Sequence, residues 1–290
     1  MKRIGSLAAL VLLSAWALQA QPNGVSAQLQ LAQDQYLPGE DLQLKVRITN
    51  RSGQKITLGA DNDWLVMSVM GENSVVCPKL GEMPVQGEFS LLSGEVGTRP
   101  LNPTPCFDFR RPGRYRITAR VRIPQWRQEM VCKPVSFTVA NGVPLPNLAN
   151  LQFGMPPAPD ATNAAPEVRS YSLLKASYLK ELKLYFRLTD SGGKILRVFP
   201  IARMTSFSVP EAQIDRLNNL HVLSQTGARS FSYCVINPEG RWVLRQTHMY
   251  SDTRPVLRVD AEGRIFVAGG ARRLSADDFP PPAAESANRQ

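Results

Sequence analysis

The chain has 290 residues, a formal net charge of +10 and a hydrophobic content of 43%. The apolar content is ordinary for a globular protein and argues against a disordered chain, and the length corresponds to about two domains. The basic balance favours anionic partners such as acidic glycans, lipid headgroups or nucleic acid, and composition does not choose among them.

The first residues have the layout of a secretory signal peptide. Lys2 and Arg3 precede an apolar run from Leu7 to Ala17, and small residues follow up to Ala20. We therefore predict a signal peptide at residues 1–20 and an exported protein, periplasmic or extracellular; the alternative is a buried amino-terminal helix. The apolar run is shorter than the roughly 20 residues that a membrane span needs, so the mature chain is expected to have no transmembrane segment.

Residues 21–140 are predicted to form a β-sandwich. Apolar and polar residues alternate strictly between Leu42 and Thr49 and again between Tyr115 and Ile123, and a two-residue period predicts strands with one buried face. Weaker patterns predict strands at Val25 to Leu31, Lys55 to Leu58, Trp64 to Met70 and Val135 to Val139. Several short strands between turn residues favour a sandwich.

A turn and a tyrosine near the end of this domain carry a resemblance. Arg111-Pro112-Gly113-Arg114 leads into Tyr115, which opens an alternating strand. This segment resembles the tyrosine corner of immunoglobulin-like sandwiches, as found in bacterial envelope proteins, and is more distantly similar to a small bacterial proteinase-inhibitor family. Ile117 stands where the second bridging cysteine of antibody domains would be, so the resemblance implies the fold without its inter-sheet disulfide.

Four cysteines, Cys77, Cys106, Cys132 and Cys234, allow three complete pairings. An oxidising compartment permits disulfides, and we predict one bridge in the first domain, Cys77 to Cys106. No Cys-x-x-Cys motif occurs, so neither a thioredoxin-like role nor a thiolate zinc site is indicated.

Two segments are predicted to lie outside the domains. Residues 141–166 contain six prolines among alanine, asparagine and glycine, which predicts a semi-extended linker. Apolar residues inside it, such as Phe153, are expected to pack against a domain. Residues 275–290 are acidic and poor in apolar residues, which predicts a disordered tail.

The second domain, residues 167–274, contains a threefold pattern of strand, glycine turn, basic residue and strand. Gly193, Gly240 and Gly263 occupy matching places, because tight hairpins require a positive φ. The pattern predicts a meander of repeated hairpins that resembles β-propeller blades, although the domain is too short for a closed propeller. The segment Pro210 to Leu217 is the one stretch that suggests a helix.

No catalytic, metal or cofactor motif is legible. His221 and His248 could form a catalytic group with Asp215 or Asp252 and with Ser224 or Ser230, but no nucleophile elbow or metal-ligand spacing fixes them together. We therefore predict surface or hydrogen-bonded strand histidines, no catalytic residues, no metal and no cofactor.

The second domain carries 17 basic and 9 acidic residues, and 13 of the basic residues are arginine. Guanidinium groups match carboxylate, sulfate and phosphate oxygens, so arginines in the hairpins could form an anion-binding face; the alternative is a solvated sheet face. The predicted binding residues are Arg187, Arg197, Arg241, Arg245, Arg258 and Arg264.

Together these features favour a non-catalytic binding or assembly module of the cell envelope. Its expected partner is an anionic glycan or an envelope protein, without specific nucleic-acid binding, and the oligomeric state is left open. One alternative is a secreted hydrolase that uses a histidine of the second domain. Another is a protease-inhibitor-like module with an exposed loop between Met70 and Glu88.

Overall fold

The computed structural model describes residues 24–72, 75–155, 167–179 and 181–281. Within these ranges the chain is built of β-strands that pair almost entirely antiparallel, together with a 3-10 helix at Pro124–Trp126 and without an α-helix. The predicted all-β class is confirmed. The predicted signal peptide lies outside the described residues.

The first domain contains ten strands in three sheets. The strands are β1 (Val25–Leu31), β2 (Gln35–Tyr36), β3 (Leu44–Asn50), β4 (Ile56–Leu58), β5 (Leu65–Met70), β6 (Phe89–Leu91), β7 (Val96–Leu101), β8 (Gly113–Ile123), β9 (Gln128–Val131) and β10 (Val135–Val139). One sheet has the order β1-β3-β7, the second has the order β2-β10-β8-β5 with β9 also paired to β8, and β4 pairs with β6.

The first two sheets bury their inner faces in one hydrophobic core. Val46 and Ile48 of β3 belong to the same buried cluster as Ile117 and Val121 of β8. Along both strands every second residue is buried, as the two-residue period predicts. Two sheets face to face over one core form a sandwich; the finer immunoglobulin-like assignment stays a prediction.

The corner before β8 has the hydrogen bond that its resemblance implies. The Tyr115 hydroxyl donates to the Arg111 carbonyl oxygen at 2.7 Å. The ring packs against Phe109 and Phe137, with ring centroids 5.4 Å away in both cases. The corner thus joins the turn to the core.

The second domain adds twelve strands in three sheets. The strands are β11 (Val143–Pro144), β12 (Leu151–Met155), β13 (Glu167–Tyr178), β14 (Glu181–Asp190), β15 (Ile195–Met204), β16 (Glu211–Ile214), β17 (Leu220–Gln225), β18 (Ser230–Ile236), β19 (Trp242–Met249), β20 (Val256–Val259), β21 (Ile265–Ala268) and β22 (Ala271–Arg273). The sheets have the orders β11-β13-β14-β15 with β12 beside β13, β16-β17-β18-β19-β22, and β20-β21.

The predicted hairpin turns follow one plan. Gly193, Gly240 and Gly263 all have φ between +73° and +80°. Their amides donate to the carbonyl oxygens of Asp190, Asn237 and Asp260, three residues earlier, at 2.8–3.0 Å. The repeated turns of the sequence are therefore repeated turns of the structure.

These sheets are stacked in layers, so the central strands are buried on both faces. Phe186 of β14 and Val222 of β17 share the core between the two large sheets. On the far side of the second sheet, Tyr233 of β18 packs with Leu257 of the β20–β21 hairpin. On the far side of the first sheet, Tyr185 packs with Leu37 of the first domain.

Part of the predicted linker is sheet. Strands β11 and β12 pair with β13, and the Phe153 ring stacks on Tyr171 with centroids 4.2 Å apart. The reason is the apolar pattern of Leu151 and Phe153, because burial of these side chains outweighs the proline-rich composition around them. Residues 156–166 lie outside the described ranges.

The start of the predicted tail is also ordered, and the helix suggested for Pro210 to Leu217 is absent. Asp278 is buried and accepts a bond from Arg272 at 2.6 Å, so its charge is paired and not free to solvate a disordered tail. Glu211–Ile214 forms strand β16, because its backbone pairs with β17. Residues 282–290 lie outside the described ranges.

The predicted Cys77–Cys106 disulfide is not formed. All four cysteines are free, buried thiols. The Cys77 thiol donates to the Asp108 carbonyl oxygen at 3.3 Å, whereas the Cys106 thiol donates to that of Glu82 at 3.4 Å. The two thiols are therefore engaged with different carbonyls, and burial raises the pKa of both.

Candidate functional site: a cleft between the domains

The six arginines predicted to bind anions do not lie on one face. They are distributed as Arg187 on β14, Arg197 on β15, Arg241 in the turn before β19, Arg245 on β19, Arg258 on β20 and Arg264 in the turn before β21. These positions belong to three different sheets. Of the six, Arg197 and Arg241 line the same cavity.

Local contacts account for several of the others. Arg264 pairs with Asp260 of its own turn at 2.7 Å, and the Arg245 guanidinium lies 5.7 Å from the centre of the Trp242 ring. Arg187 is partly buried, which lowers its pKa, and within the described residues its Nε has no hydrogen-bond partner. Arg245 and Arg264 thus make contacts within the fold, and the six arginines are not presented together.

The cavity that holds Arg197 and Arg241 lies between the two domains and has a volume of about 560 Å³. Its first-domain wall is the turn after Leu37, including Asp41. Its second-domain wall comes from β15 and the β18–β19 turn. The aromatic side chains on it are Phe199, Trp242 and Phe279.

A tight turn holds the two domains together beside this cleft. The Leu37 amide donates to Glu40 Oε2 at 2.8 Å, and Leu37 packs against the outer face of the β13–β14–β15 sheet. Gly39 has φ +82°, and a Cβ built there would lie 2.7 Å from Ile195 Cγ2. A residue without a side chain is therefore required where the domains meet.

One wall of the cleft is aromatic, and two guanidinium groups lie beside it. The Phe199 and Trp242 rings lie 5.5 Å apart. Arg197 reaches Asp41 at 4.0 Å, and both side chains are more than half exposed; Arg241 reaches Glu239 at 3.8 Å. Ion pairs this long and this exposed contribute little to stability. Both guanidinium groups are therefore available to a ligand.

The histidines form a hydrogen-bonded network in another part of the domain. Asp215 lies 3.1 Å from His221 Nε2, and the Tyr233 hydroxyl lies 2.7 Å from His221 Nδ1. Because a carboxylate only accepts, Nε2–H donates to Asp215, and in the neutral ring Nδ1 then accepts from the Tyr233 hydroxyl. Burial raises the pKa of Tyr233 to about 12, which keeps that proton in place.

This network is buried, so of the two alternatives predicted for the histidines the surface position does not apply and the hydrogen-bonded strand position does for His221. His221 and Tyr233 are 7% and 5% exposed, and His248 meets the Tyr233 ring edge-on. Ser224 is buried on β17, and the Ser230 hydroxyl accepts from Thr226. The sequence placed His221 and Asp215 in one region but missed Tyr233, because only the pairing of β17 with β18 brings the two rings together.

Neither the family models nor the curated proteins contain a match to this chain. Among solved structures, the sporulation control protein Spo0M from Bacillus subtilis is similar with a TM-score of 0.30 and 10% identity, over 63% of this chain and 91% of that chain. A likeness at this level indicates neither a shared fold nor a shared function.

No helix within the described ranges has the length and apolar character needed to cross a bilayer. No three or more His, Cys, Asp or Glu side chains of the described part are grouped to hold a metal ion.

Proposed function

We propose that this protein is an exported, non-catalytic binding module of the bacterial cell envelope, and that its interdomain cleft binds an acidic saccharide. The observation that carries the proposal is the meeting of Arg197, Arg241 and Trp242 in one cavity. Ligand sites occur preferentially at domain interfaces, and both domains line this one.

The side chains of the cleft suit a ring that bears both hydroxyls and a carboxylate. Trp242 and Phe199 offer apolar ring surface on which a sugar face can stack. Arg197 and Arg241 can each donate two parallel bonds to a carboxylate. Asp41 can accept hydrogen bonds from sugar hydroxyls, which a uronic acid offers and a phosphate chain does not.

The location rests on the leader at residues 1–20, whose basic start and apolar run are typical of export. The mature chain would then be periplasmic or extracellular, where acidic glycans are available as partners. An envelope protein that carries such a glycan is compatible with the same cleft.

Titration of the mature chain, residues 21–290, with trigalacturonic acid tests the proposal by calorimetry and tryptophan fluorescence. We expect Arg197→Gln with Arg241→Gln to weaken binding by about tenfold or more, the loss typical of removing central charged contacts. The matched control is Arg258→Gln with Arg264→Gln, which removes the same charge from exposed positions outside the cleft.

The neutral analogue maltotriose should bind more weakly than the acid, because it offers the guanidinium groups no carboxylate. Failure of the intact protein to bind trigalacturonic acid would overturn the proposed ligand class. An equal loss in the cleft variant and in its control would overturn the proposed site.

A further inference from the structure

Strand β8 presents a row of arginines on the outer face of the first domain. From Arg114 to Ile123 its side chains alternate between the buried and the outer face, and every outward side chain except the half-buried Thr118 is an exposed cation. The exposed cations are Arg114, Arg116, Arg120 and Arg122. Since a strand advances about 3.3 Å per residue, neighbours two apart are separated by roughly 7 Å and the row is about 27 Å long.

The strands on either side of the row supply mostly neutral side chains. Ser68 of β5 and Ser136 of β10 lie across from Thr118 and Arg116. The acidic residue in register with the row is Glu129 of β9, 3.7 Å from Arg120 with both side chains more than half exposed.

Two more carboxylates lie near one end of the row. Glu72 and Asp34 line the surface depressions that include Arg114. Within the described residues, Arg114, Arg116 and Arg122 make no ion pair. Like charges repeated along one strand repel one another. Neighbouring carboxylates neutralise only part of the positive charge of this row.

We propose that the β8 arginine row binds a linear polyanion. The row is one strand wide, so it is complementary to a chain whose negative charges also recur along a line. Each guanidinium can form a paired contact with phosphate or sulfate oxygens. A bilayer is the less suitable partner, because the charges follow one line instead of spreading over the face.

This inference goes beyond the cleft and shares no residue with it. The cleft selects a ring with one acid group and carries its own carboxylate, Asp41, whereas the row suits repeated charge. The two sites therefore fail separately. Loss of the row should leave trigalacturonic acid binding unchanged, and loss of Arg197 and Arg241 should leave polyanion binding unchanged.

Long-chain polyphosphate is the probe, titrated into the mature chain at several salt concentrations. The test variant replaces four arginines by glutamine: Arg114→Gln, Arg116→Gln, Arg120→Gln and Arg122→Gln. The matched control removes the same charge from exposed positions elsewhere: Arg203→Gln, Arg258→Gln, Arg264→Gln and Arg273→Gln.

We expect the test variant to lose at least about tenfold in affinity and to show a salt dependence reduced by about three to four counterions, with a much smaller loss in the control. Tripolyphosphate is too short to span the row and should bind more weakly than the long chain. Melting temperatures of all variants establish folding; if the quadruple variant unfolds, the pairs Arg114/Arg116 and Arg120/Arg122 are tested separately.

Equal losses in the test and control variants would overturn the row as the site. Equal affinity for tripolyphosphate and the long chain would overturn the polymeric ligand. Row-dependent binding to vesicles of phosphatidylglycerol and phosphatidylcholine, without row-dependent binding to polyphosphate, would assign the row to a membrane surface instead.

Discussion

The two domains use the same antiparallel strands but bury them differently. In β8 of the first domain, Ile117 is fully buried and its neighbour Arg116 is exposed. In β18 of the second domain, every residue from Phe231 to Ile236 is buried. The difference follows from the number of layers, because a sheet covered on both faces has no solvent side.

This difference decides where each domain can carry charge. The first domain keeps a polar face on its sheet, and Arg116 belongs to a row on that face. The second domain has covered inner sheets, and its cations are spread between hairpin turns, such as Arg241 and Arg264 beside Glu239 and Asp260, and strands of different sheets, such as Arg258 on β20. Its larger positive charge therefore does not produce a single charged face.

The largest expected effect is a loss of stability that depends on whether a strand is buried on both faces, as β14 is, or on one face, as β8 is. In β14, Phe186→Ala and Tyr185→Ala remove side chains on opposite faces, and each should lower the free energy of unfolding by about 3–5 kcal/mol. In β8, Ile117→Ala should cost about 2–5 kcal/mol, whereas Arg116→Ala should stay within about 0.5 kcal/mol. Urea unfolding measures all four; a Tyr185→Ala variant as stable as Arg116→Ala would contradict the layered arrangement.

The next effect concerns the turn that joins the domains. Burial raises the pKa of Glu40 from 4.5 to about 7. Between these values the folded state holds a proton that the unfolded state has lost, so this group makes stability fall as pH rises from 4.5 to 7. We expect the fall in urea unfolding midpoints to be weaker in Glu40→Gln than in the parent protein.

Glu88→Gln, which removes the same charge from an exposed position away from this turn, is the matched control and should keep the parent's pH dependence. If Glu40→Gln instead follows the parent over that window, the buried carboxyl of this turn does not cause the effect.

A smaller effect separates the two tyrosine hydroxyls. Tyr233→Phe removes the donor to His221 Nδ1 and leaves a buried acceptor, which should cost about 1–3 kcal/mol. Tyr115→Phe removes one bond to the Arg111 carbonyl at a partly exposed corner and should cost about 0.5–1.5 kcal/mol. Thermal unfolding compares them; a larger loss for Tyr115→Phe would reverse the comparison.

The smallest effect is expected from reduction. Because all four thiols are free, dithiothreitol should leave the melting temperature of either domain unchanged. A fall in melting temperature on reduction, together with fewer thiols titrated by Ellman's reagent in the unfolded protein, would show that a disulfide forms after all.

The sequence was informative wherever a single strand or turn decides the structure. The alternation from Tyr115 to Ile123, the corner hydrogen bond and the glycine turns at Gly193, Gly240 and Gly263 are local features. The same alternation places the arginines of β8 on the outer face of the strand. The charge count, in contrast, favours the second domain as the anion-binding one.

Features that depend on distant segments could not be predicted in this way. The cleft needs Asp41 beside Arg197, and the histidine network needs His221 opposite Val235 so that the Tyr233 ring lies alongside. Likewise, the sequence predicts that Phe153 packs against a domain but not that its partner is Tyr171. Strand register and domain packing, not composition, place these residues.

The close approach at Gly39 has a consequence for how the protein could change over time. One added methyl group at this position would collide with Ile195 and act as a wedge. Either the Ile195 side chain or the turn would then have to shift, and a shift of the turn would move Asp41 relative to Arg197. The width of the cleft therefore depends on glycine at this position, and a single substitution there would change which ligands the cavity admits.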